Sequence, residues 1–379
     1  MRIALFTDVF LPQINGVVTS TLSLAKGLAD RNHKVYIIAP KFKGNREFQY
    51  KNVIVKRVYS IPALFYPGFK FASPFSPEIL NFIKKEKIEL IHFQTPMSLG
   101  IQAILISRLL KIPLVGTFHT NISNPQYLRH MRINSKLIAP ISKKYIKWYY
   151  GNCNLVTCPS ESIRKELKKE NINSHIKVFS NGIDLSLFKP LKTKKKQKNL
   201  IFVGRIAHEK NLFYLLECFK IVLKKLPETK LIIIGDGPQM NELKNKINED
   251  NLSKNIILTG EIEHTKLIKS NFYKESYTFV TASLSETQGI TLMEAQANGL
   301  PSVGIDAAGS RDLIKNNYNG FLVKENKKSF ADAIIKILSD ERLFIRMKKN
   351  TLKEIKNHEL SAVISEWEKT YLELIKNES

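Results

Sequence analysis

The stretch LFKPLKTKKKQKNLIFVGRIAHEKN (residues 187–211) decides how this chain folds. Its first half is rich in Lys, carries a Pro and has no apolar periodicity, which reads as a connection rather than a packed element. Its second half opens with NLIFVGRI (199–206), a short apolar run closed by a glycine turn, which reads as a buried strand. The same rhythm runs on either side of the break. Before it lie the strand candidates IALFTDVF, KVYIIAP, VIVKRV, LIHFQ, PLVGTFHT, NLVTCPS and IKVFS, with helical stretches such as 17–30, 78–87, 98–110 and 161–170 between them. After it lie KLIIIGDGP, NIILTGEI, YTFVTAS, LPSVGID and GFLV, again with helices between. Strands spaced by helices imply parallel βαβ units covered on both faces. The expected fold is therefore α/β, with two doubly wound, Rossmann-like domains in tandem. The first spans residues 1–188 and the second 189–359, and a C-terminal helix at about 360–379 is free to pack back on the first. The final helices, from about 329 to 377, read as long and amphipathic, with Trp367 and Tyr371 packed.

The bulk numbers agree with two domains. At 379 residues the chain exceeds one ordinary core. Hydrophobic residues at 43% and charged residues at 25% describe a soluble globular protein. No apolar run approaches the roughly 18 to 20 residues a spanning helix needs. The N-terminal RIALFTDVF reads directly as a buried strand, not as a signal peptide. Three cysteines, Cys153, Cys158 and Cys218, show no zinc spacing and fit free thiols in a cytoplasmic chain. The net charge is +25, and it is unevenly placed. Residues 1–190 carry 28 Lys and Arg against 10 Asp and Glu, whereas residues 191–379 carry 31 against 24. A lysine-rich coding bias raises the total but does not explain the asymmetry. The first half thus points to an anionic partner, either nucleic acid or an anionic membrane surface. A nucleic-acid-binding protein is the remote reading, because no DNA-reading module, zinc finger or RNA-binding aromatic motif is present.

In doubly wound sheets, ligands sit outside the carboxyl ends of the strands, and four stretches fall there. In TDVFLPQINGVVTS (7–20), Asn15 and Gly16 form a strand-to-helix turn whose backbone amides can approach a phosphate. The turn equally suits an ordinary βα connection. GTFHTN (116–121) puts His119 at a strand end, where a ligand contact and a hydrogen-bonded structural histidine are both open. In VGRIAHEKN (203–211), Arg205 and Lys210 lie between a strand and a helix, so both cations can converge on one anion. Two solvated surface charges are the alternative. In SLSETQGITLMEAQANGLP (283–301), Gly289 ends a loop and a helix runs from about Ile290 to Ala297. Glu286 then precedes the helix, Glu294 lies inside it, and the amides of Gln288, Gly289 and Ile290 point outward. Glu is also favoured near any helix start, but together these groups suit a polyhydroxylated, phosphate-bearing ligand.

Taken together, the chain resembles the retaining nucleotide-sugar glycosyltransferases of the GT-B fold, family 4, over essentially its whole length. SETQGITLMEAQANGLPSV is the most specific part, supported by GRIAHEKN, IIIGDGP and SNGIDLSLFKP. The resemblance implies two domains facing across a cleft that holds a UDP-sugar. It implies that Glu286 and His119 contact the donor hexose, Glu294 the ribose hydroxyls and Ile262 the base. Arg205 and Lys210 would neutralise the diphosphate, Gly16 would close on it from the other domain, and the amides at Gln288 to Ile290 would hold sugar and phosphate oxygens. Fixed cations aimed at the leaving diphosphate lower the barrier to glycosyl–phosphate cleavage. The two carboxylates do not make a glycosidase, whose paired acids flank the scissile bond in a fixed geometry. No Asp-any-Asp stretch occurs, which agrees with a reaction that needs neither metal nor cofactor.

The acceptor is read from the basic half. Residues 129–149, RHMRINSKLIAPISKKYIKWY, set Arg129, Arg132, Lys136, Lys143, Lys144 and Lys147 beside an apolar stripe of Leu137, Ile141, Tyr145 and Trp148, with Pro140 interrupting or kinking the helix. This reads as an interfacial helix on an anionic leaflet, and ALFYPGFKFASPF (63–75) offers a second aromatic-rich candidate. Ordinary packing with a solvated charged face accounts for either one as well. TDVFLPQINGVV, FQTPMSLG, TFHT and SETQGIT look like the diacylglycerol glycosyltransferases of the family. That implies a cytoplasmic enzyme, peripheral on the inner face of the membrane, moving glucose or galactose to diacylglycerol. NISNPQYLRH and the single His92 depart from that subgroup. Transfer to a surface glycan or another lipid-linked acceptor is the alternative. A catalytically silent membrane scaffold does not fit the intact Glu286, Glu294, Arg205, Lys210 and His119.

Overall fold

The computed structural model describes residues 1–13, 15–42, 48–62, 70–119, 135–172, 175–188, 190 and 198–378. The chain divides into two compact units. One is Met1–Gly182 with Leu360–Ser379, and the other is Ile183–Glu359. The first unit thus closes at Gly182, slightly ahead of residue 188.

The first unit runs β1 (Arg2–Phe6), α1 (Gly16–Asp30), β2 (Lys34–Pro40), β3 (Val53–Val58), β4 (Ser60–Pro62), β5 (Lys70–Ala72), α2 (Pro77–Lys85), β6 (Leu90–Phe93), α3 (Ser98–Leu110), β7 (Leu114–Thr117), α4 (Ser135–Tyr150), β8 (Leu155–Cys158), α5 (Glu161–Lys169) and β9 (Ile176–Val178). Seven strands form a parallel sheet in the order β3-β2-β1-β6-β7-β8-β9, and β4 and β5 form a small antiparallel pair. Nearly continuous apolar strands such as KVYIIAP and LIHF are buried on both faces, as a parallel sheet under two helix layers requires.

The second unit runs β10 (Leu200–Val203), α6 (Leu212–Lys225), β11 (Leu231–Ile234), α7 (Met240–Glu249), β12 (Ile256–Gly260), α8 (His264–Lys269), α9 (Phe272–Glu275), β13 (Thr278–Thr281), α10 (Ile290–Ala297), β14 (Ser302–Ile305), α11 (Ala308–Arg311), β15 (Gly320–Val323), α12 (Lys327–Ser339) and α13 (Glu341–Glu354). Its sheet is parallel in the order β12-β11-β10-β13-β14-β15. Strand order reverses between β1 and β6 in the first unit and between β10 and β13 in the second. Those are the crevices where doubly wound sheets take ligands.

The last helix, α14 (Leu360–Glu378), belongs to the first unit. Trp367 stacks on Phe179 at 3.9 Å between ring centroids, and Val363, Ile364 and Tyr371 join the core built on β1 and α1. The tract from 327 to 378 is not one run of helix. Asp340 ends α12 and starts α13, its carboxylate accepting from the Leu343 amide at 2.9 Å, and such a cap favours a new helix start over continuation.

Candidate active site

In the second unit the site residues gather at the crossover between β10 and β13. The loop after β10 carries Arg205, which is exposed, and Lys210, which is half-buried. The loop after β13 carries Glu286, and Lys210 Nζ donates to its carboxylate. Burial alone would lower the Lys210 pKa, but Glu286 outweighs it and the ammonium is held charged. A cation is thereby fixed at the mouth of the crevice. The backbone shapes that mouth closely. A Cβ at Gly309 would lie 2.5 Å from the Glu286 carbonyl oxygen, so only glycine lets the start of α11 pass there. Gly235 adopts φ +140 and a Cβ on it would meet the Gly204 carbonyl at 2.0 Å. The loops after β10 and β11 therefore lie directly against each other.

Helix α10 starts at Ile290 with Gly289 as its cap, a residue with no side chain to accept from the first amides. Gln288 and Gly289 are buried and Ile290 is half-buried. Glu294, one turn in, is 2% exposed. His264 Nε2 donates to its Oε1 at 2.6 Å and the Tyr273 hydroxyl to its Oε2 at 2.7 Å. That hydrogen bond raises the His264 pKa against the opposing pull of burial. Ile262, two residues before His264, packs its side chain against the core beneath the loop.

The first unit places Asn15 as the cap of α1, its Oδ1 accepting from the Val18 amide at 3.0 Å. The Asn15 side chain thus serves the helix, and Gly16 is left exposed at its start. His119 is 8% exposed, and its Nε2 lies 2.8 Å from Gln94 Oε1. Burial pulls its pKa down to about 4, so the ring is neutral near neutral pH. It lines a cavity of about 20 Å³ with Gln94, Thr117, Asn181 and Trp367, room for a water. Behind it, buried His92 lies 2.6 Å from both Tyr371 Oη and Thr117 Oγ1.

Three groups here were not anticipated from sequence. Asp8, wholly buried at the β1–β6 crossover, accepts from Ser98 Oγ at 2.5 Å, the Leu99 amide at 2.9 Å and Thr95 Oγ1 at 2.7 Å. It caps α3 from outside, a job the residue before that helix, Met97, cannot do. Its carboxyl is pushed up to about 6 by burial, against those hydrogen bonds. Asp8 stands inside a stretch singled out for Asn15 and Gly16, and His264 directly ends the TGEIEH run read only for Ile262. Tyr273 sits in a four-residue helix that carries no signal of its own.

On the basic helix, Arg129 and Arg132 lie outside the described residues, as does most of the 63–75 aromatic stretch, and Lys136 falls where only the backbone is described. Helix α4 contains Pro140. Ile141 at 63% and Trp148 at 49% are exposed beside Lys144 and Lys147. Lys143, still half-exposed, pairs with Glu170 at 2.8 Å. One expectation needs correction. Tyr145 leaves the apolar stripe and turns inward, its hydroxyl donating to the Pro96 carbonyl at 2.9 Å. Among the described residues no helix is long and apolar enough to cross a membrane, no His, Cys, Asp or Glu cluster is placed to hold a metal ion, and the three cysteines are buried free thiols.

Comparison with known proteins agrees with this architecture. Residues 185–354 match the model of glycosyl transferases group 1, and residues 14–187 match glycosyltransferase family 4. The alpha-monoglucosyldiacylglycerol synthase of Streptococcus pneumoniae is 31% identical, aligned over 96% of this chain and 87% of that protein. The enzyme of the same name from Acholeplasma laidlawii is 28% identical over 99% and 98%. Among solved structures, sucrose-phosphate synthase from Thermosynechococcus elongatus superposes with a TM-score of 0.80 at 18% identity, covering 99% of each chain.

Proposed function

The chain belongs to the GT-B glycosyltransferases of group 1 and family 4, and from that premise we propose that it moves a hexose from a UDP-sugar to 1,2-diacylglycerol. The product is a monoglycosyl-diacylglycerol, formed with retention and without a metal ion. The observation that carries the donor side is Lys210 fixed against Glu286 at the β10–β13 crossover, in the loop that leads into the glycine-capped start of α10. A charged ammonium and a helix N-terminus on one crossover suit a diphosphate. The acceptor follows from the two lipid-glycosylating relatives.

In this reading the anomeric C–O bond to the diphosphate breaks while a C–O bond to the acceptor hydroxyl forms on the same face. The acceptor proton passes to the departing phosphate oxygen. Lys210 and Arg205 take up the charge that develops there, the amides at Gln288 to Ile290 hold sugar and phosphate oxygens, and Glu286 orients hexose hydroxyls. Glu294 grips the ribose and Ile262 borders the base. His119, kept neutral by burial, hydrogen-bonds the hexose without adding a competing charge. Lys144, Lys147 and Trp148, together with Arg129, Arg132 and Lys136, seat the enzyme on the anionic inner leaflet.

The test is transfer from radiolabelled UDP-glucose and, separately, UDP-galactose into anionic vesicles containing diacylglycerol, with EDTA present. A one-sugar lipid is the expected product, and the better donor names the hexose. Label that enters only oligosaccharide or another lipid-linked acceptor would discard diacylglycerol. Activity abolished by EDTA and restored by a divalent cation would discard metal independence.

A further inference from the structure

The Glu294 carboxylate is 2% exposed, and a buried carboxylate needs hydrogen-bond partners to remain charged. It has two, from different elements. His264 opens α8 in the loop after β12 and reaches Oε1 at 2.6 Å, and Tyr273 of α9 reaches Oε2 at 2.7 Å. One donor therefore stands on each oxygen, which fixes the plane of the carboxylate as well as its position. The backbone beneath is fixed too, because Asn298 Nδ2 donates to the Glu294 carbonyl at 2.9 Å.

A carboxylate offers about four lone-pair sites, two on each oxygen. His264 and Tyr273 use one on each oxygen, leaving one on each for a ligand. Two parallel acceptor sites match a vicinal diol. The same His264 lies two residues from Ile262, so a single loop holds both the apolar side chain proposed to border the base and the arm on the carboxylate.

We infer that His264 and Tyr273 are positioning residues that present Glu294 as a two-point acceptor for the cis-diol of the donor nucleotide's ribose. This rests on the proposed assignment of Glu294 to the ribose. It adds a determinant for ribonucleotide over deoxyribonucleotide, since a 2′-deoxyribose fills only one of the two sites and leaves the other buried acceptor without a donor. The raised pKa of His264 agrees with a ring that keeps its proton on Nε2 facing the carboxylate.

The experiment measures binding of UDP and of 2′-deoxy-UDP by calorimetry to the full-length protein and to H264A, H264Q, Y273F and E294Q, with donor KM and kcat alongside. His264 is partly exposed, and Tyr273→Phe keeps the ring, so both sites tolerate substitution. Expected are about a tenfold weaker UDP affinity and donor KM in H264A, a smaller loss in Y273F, and kcat at saturating donor within about twofold of wild type. The preference for UDP over 2′-deoxy-UDP falls toward unity in H264A and recovers in H264Q, whose amide can still donate to Oε1. A merely structural role would lower the melting temperature while leaving the ribose preference intact, and that result overturns the inference. If E294Q loses UDP and the ribose preference while H264A and Y273F keep both, the clamp is wrong and the Glu294 assignment stands. If E294Q also binds UDP and discriminates as wild type, the assignment itself fails.

Discussion

The two units place a carboxylate at the same point of the same architecture and use it in opposite ways. At the β1–β6 crossover, Asp8 is sealed from water and surrounded by hydroxyls and backbone amides, with no cation among its hydrogen-bond partners. Burial pushes its carboxyl up to about 6. At the β10–β13 crossover, Glu286 stays half-buried and is paired with Lys210. The first unit therefore drives the titratable groups at its crevice toward neutrality, His92 and His119 included. The second lines its crevice with charges already fixed in place. A doubly wound sheet offers a ligand crevice at its switch point, but the local electrostatics set whether fixed charge or neutral hydrogen bonding stands there.

Removing a charge from the open crevice should have the largest effect. Lys210→Ala should lower kcat for transfer about 10²- to 10³-fold, as loss of a fixed transition-state donor does in other enzymes, and steady-state transfer assays check this. A variant within threefold of wild type would erase the contrast between the two crossovers.

The sealed crevice should show itself in stability. A carboxyl raised from 3.8 to about 6 in the folded state contributes stability that is fully present below about pH 4 and lost as pH rises through about 6. Wild type should therefore gain on Asp8→Asn between pH 7 and pH 4, by about 3 kcal/mol at most. Urea unfolding of both proteins across that range measures it, and parallel pH profiles would show that Asp8 does not titrate as the burial demands.

Glu294→Gln should weaken UDP binding about tenfold or more, with little change in vesicle binding. The smallest effects belong to the basic helix. Lys144→Ala and Lys147→Ala should each cost about 1 kcal/mol of affinity for anionic vesicles, an effect that shrinks as salt rises because surface charge is screened over about 8 Å at physiological ionic strength. Lys143→Ala should cost less, because its ammonium is engaged by Glu170. Vesicle sedimentation at two salt concentrations separates the three.

The sequence allowed the fold to be read because parallel sheets buried on both faces leave long apolar runs, and each such run from IALF to GFLV is a strand. The positions of Lys210, Glu286 and Glu294 were legible for a related reason, since strand-end glycines and helix starts mark where loops must face a ligand. Their partners were not. Thr95 reaches Asp8 across 87 residues and His264 reaches Glu294 across 30, and no local period encodes a pairing that only the sheet order brings about. Lys143 shows the same limit from the other side. Helical spacing grouped it with Lys144 and Lys147, and nothing local shows that Glu170, the residue capping the end of the next helix, pairs with it. The break at Asp340 was readable in principle, as an Asp three residues before Leu343, but the amphipathic period continues across it.

The proposed function divides the labour, with the nucleotide held by the second unit and the membrane by the first. The most direct measurement is UDP binding and anionic-vesicle binding on the same preparations of wild type, E294Q and the K144A/K147A double variant. The expected result is that E294Q loses UDP and keeps the vesicles, while the double variant loses the vesicles and keeps UDP. Both variants losing both ligands, or E294Q binding UDP as wild type does, would contradict the division.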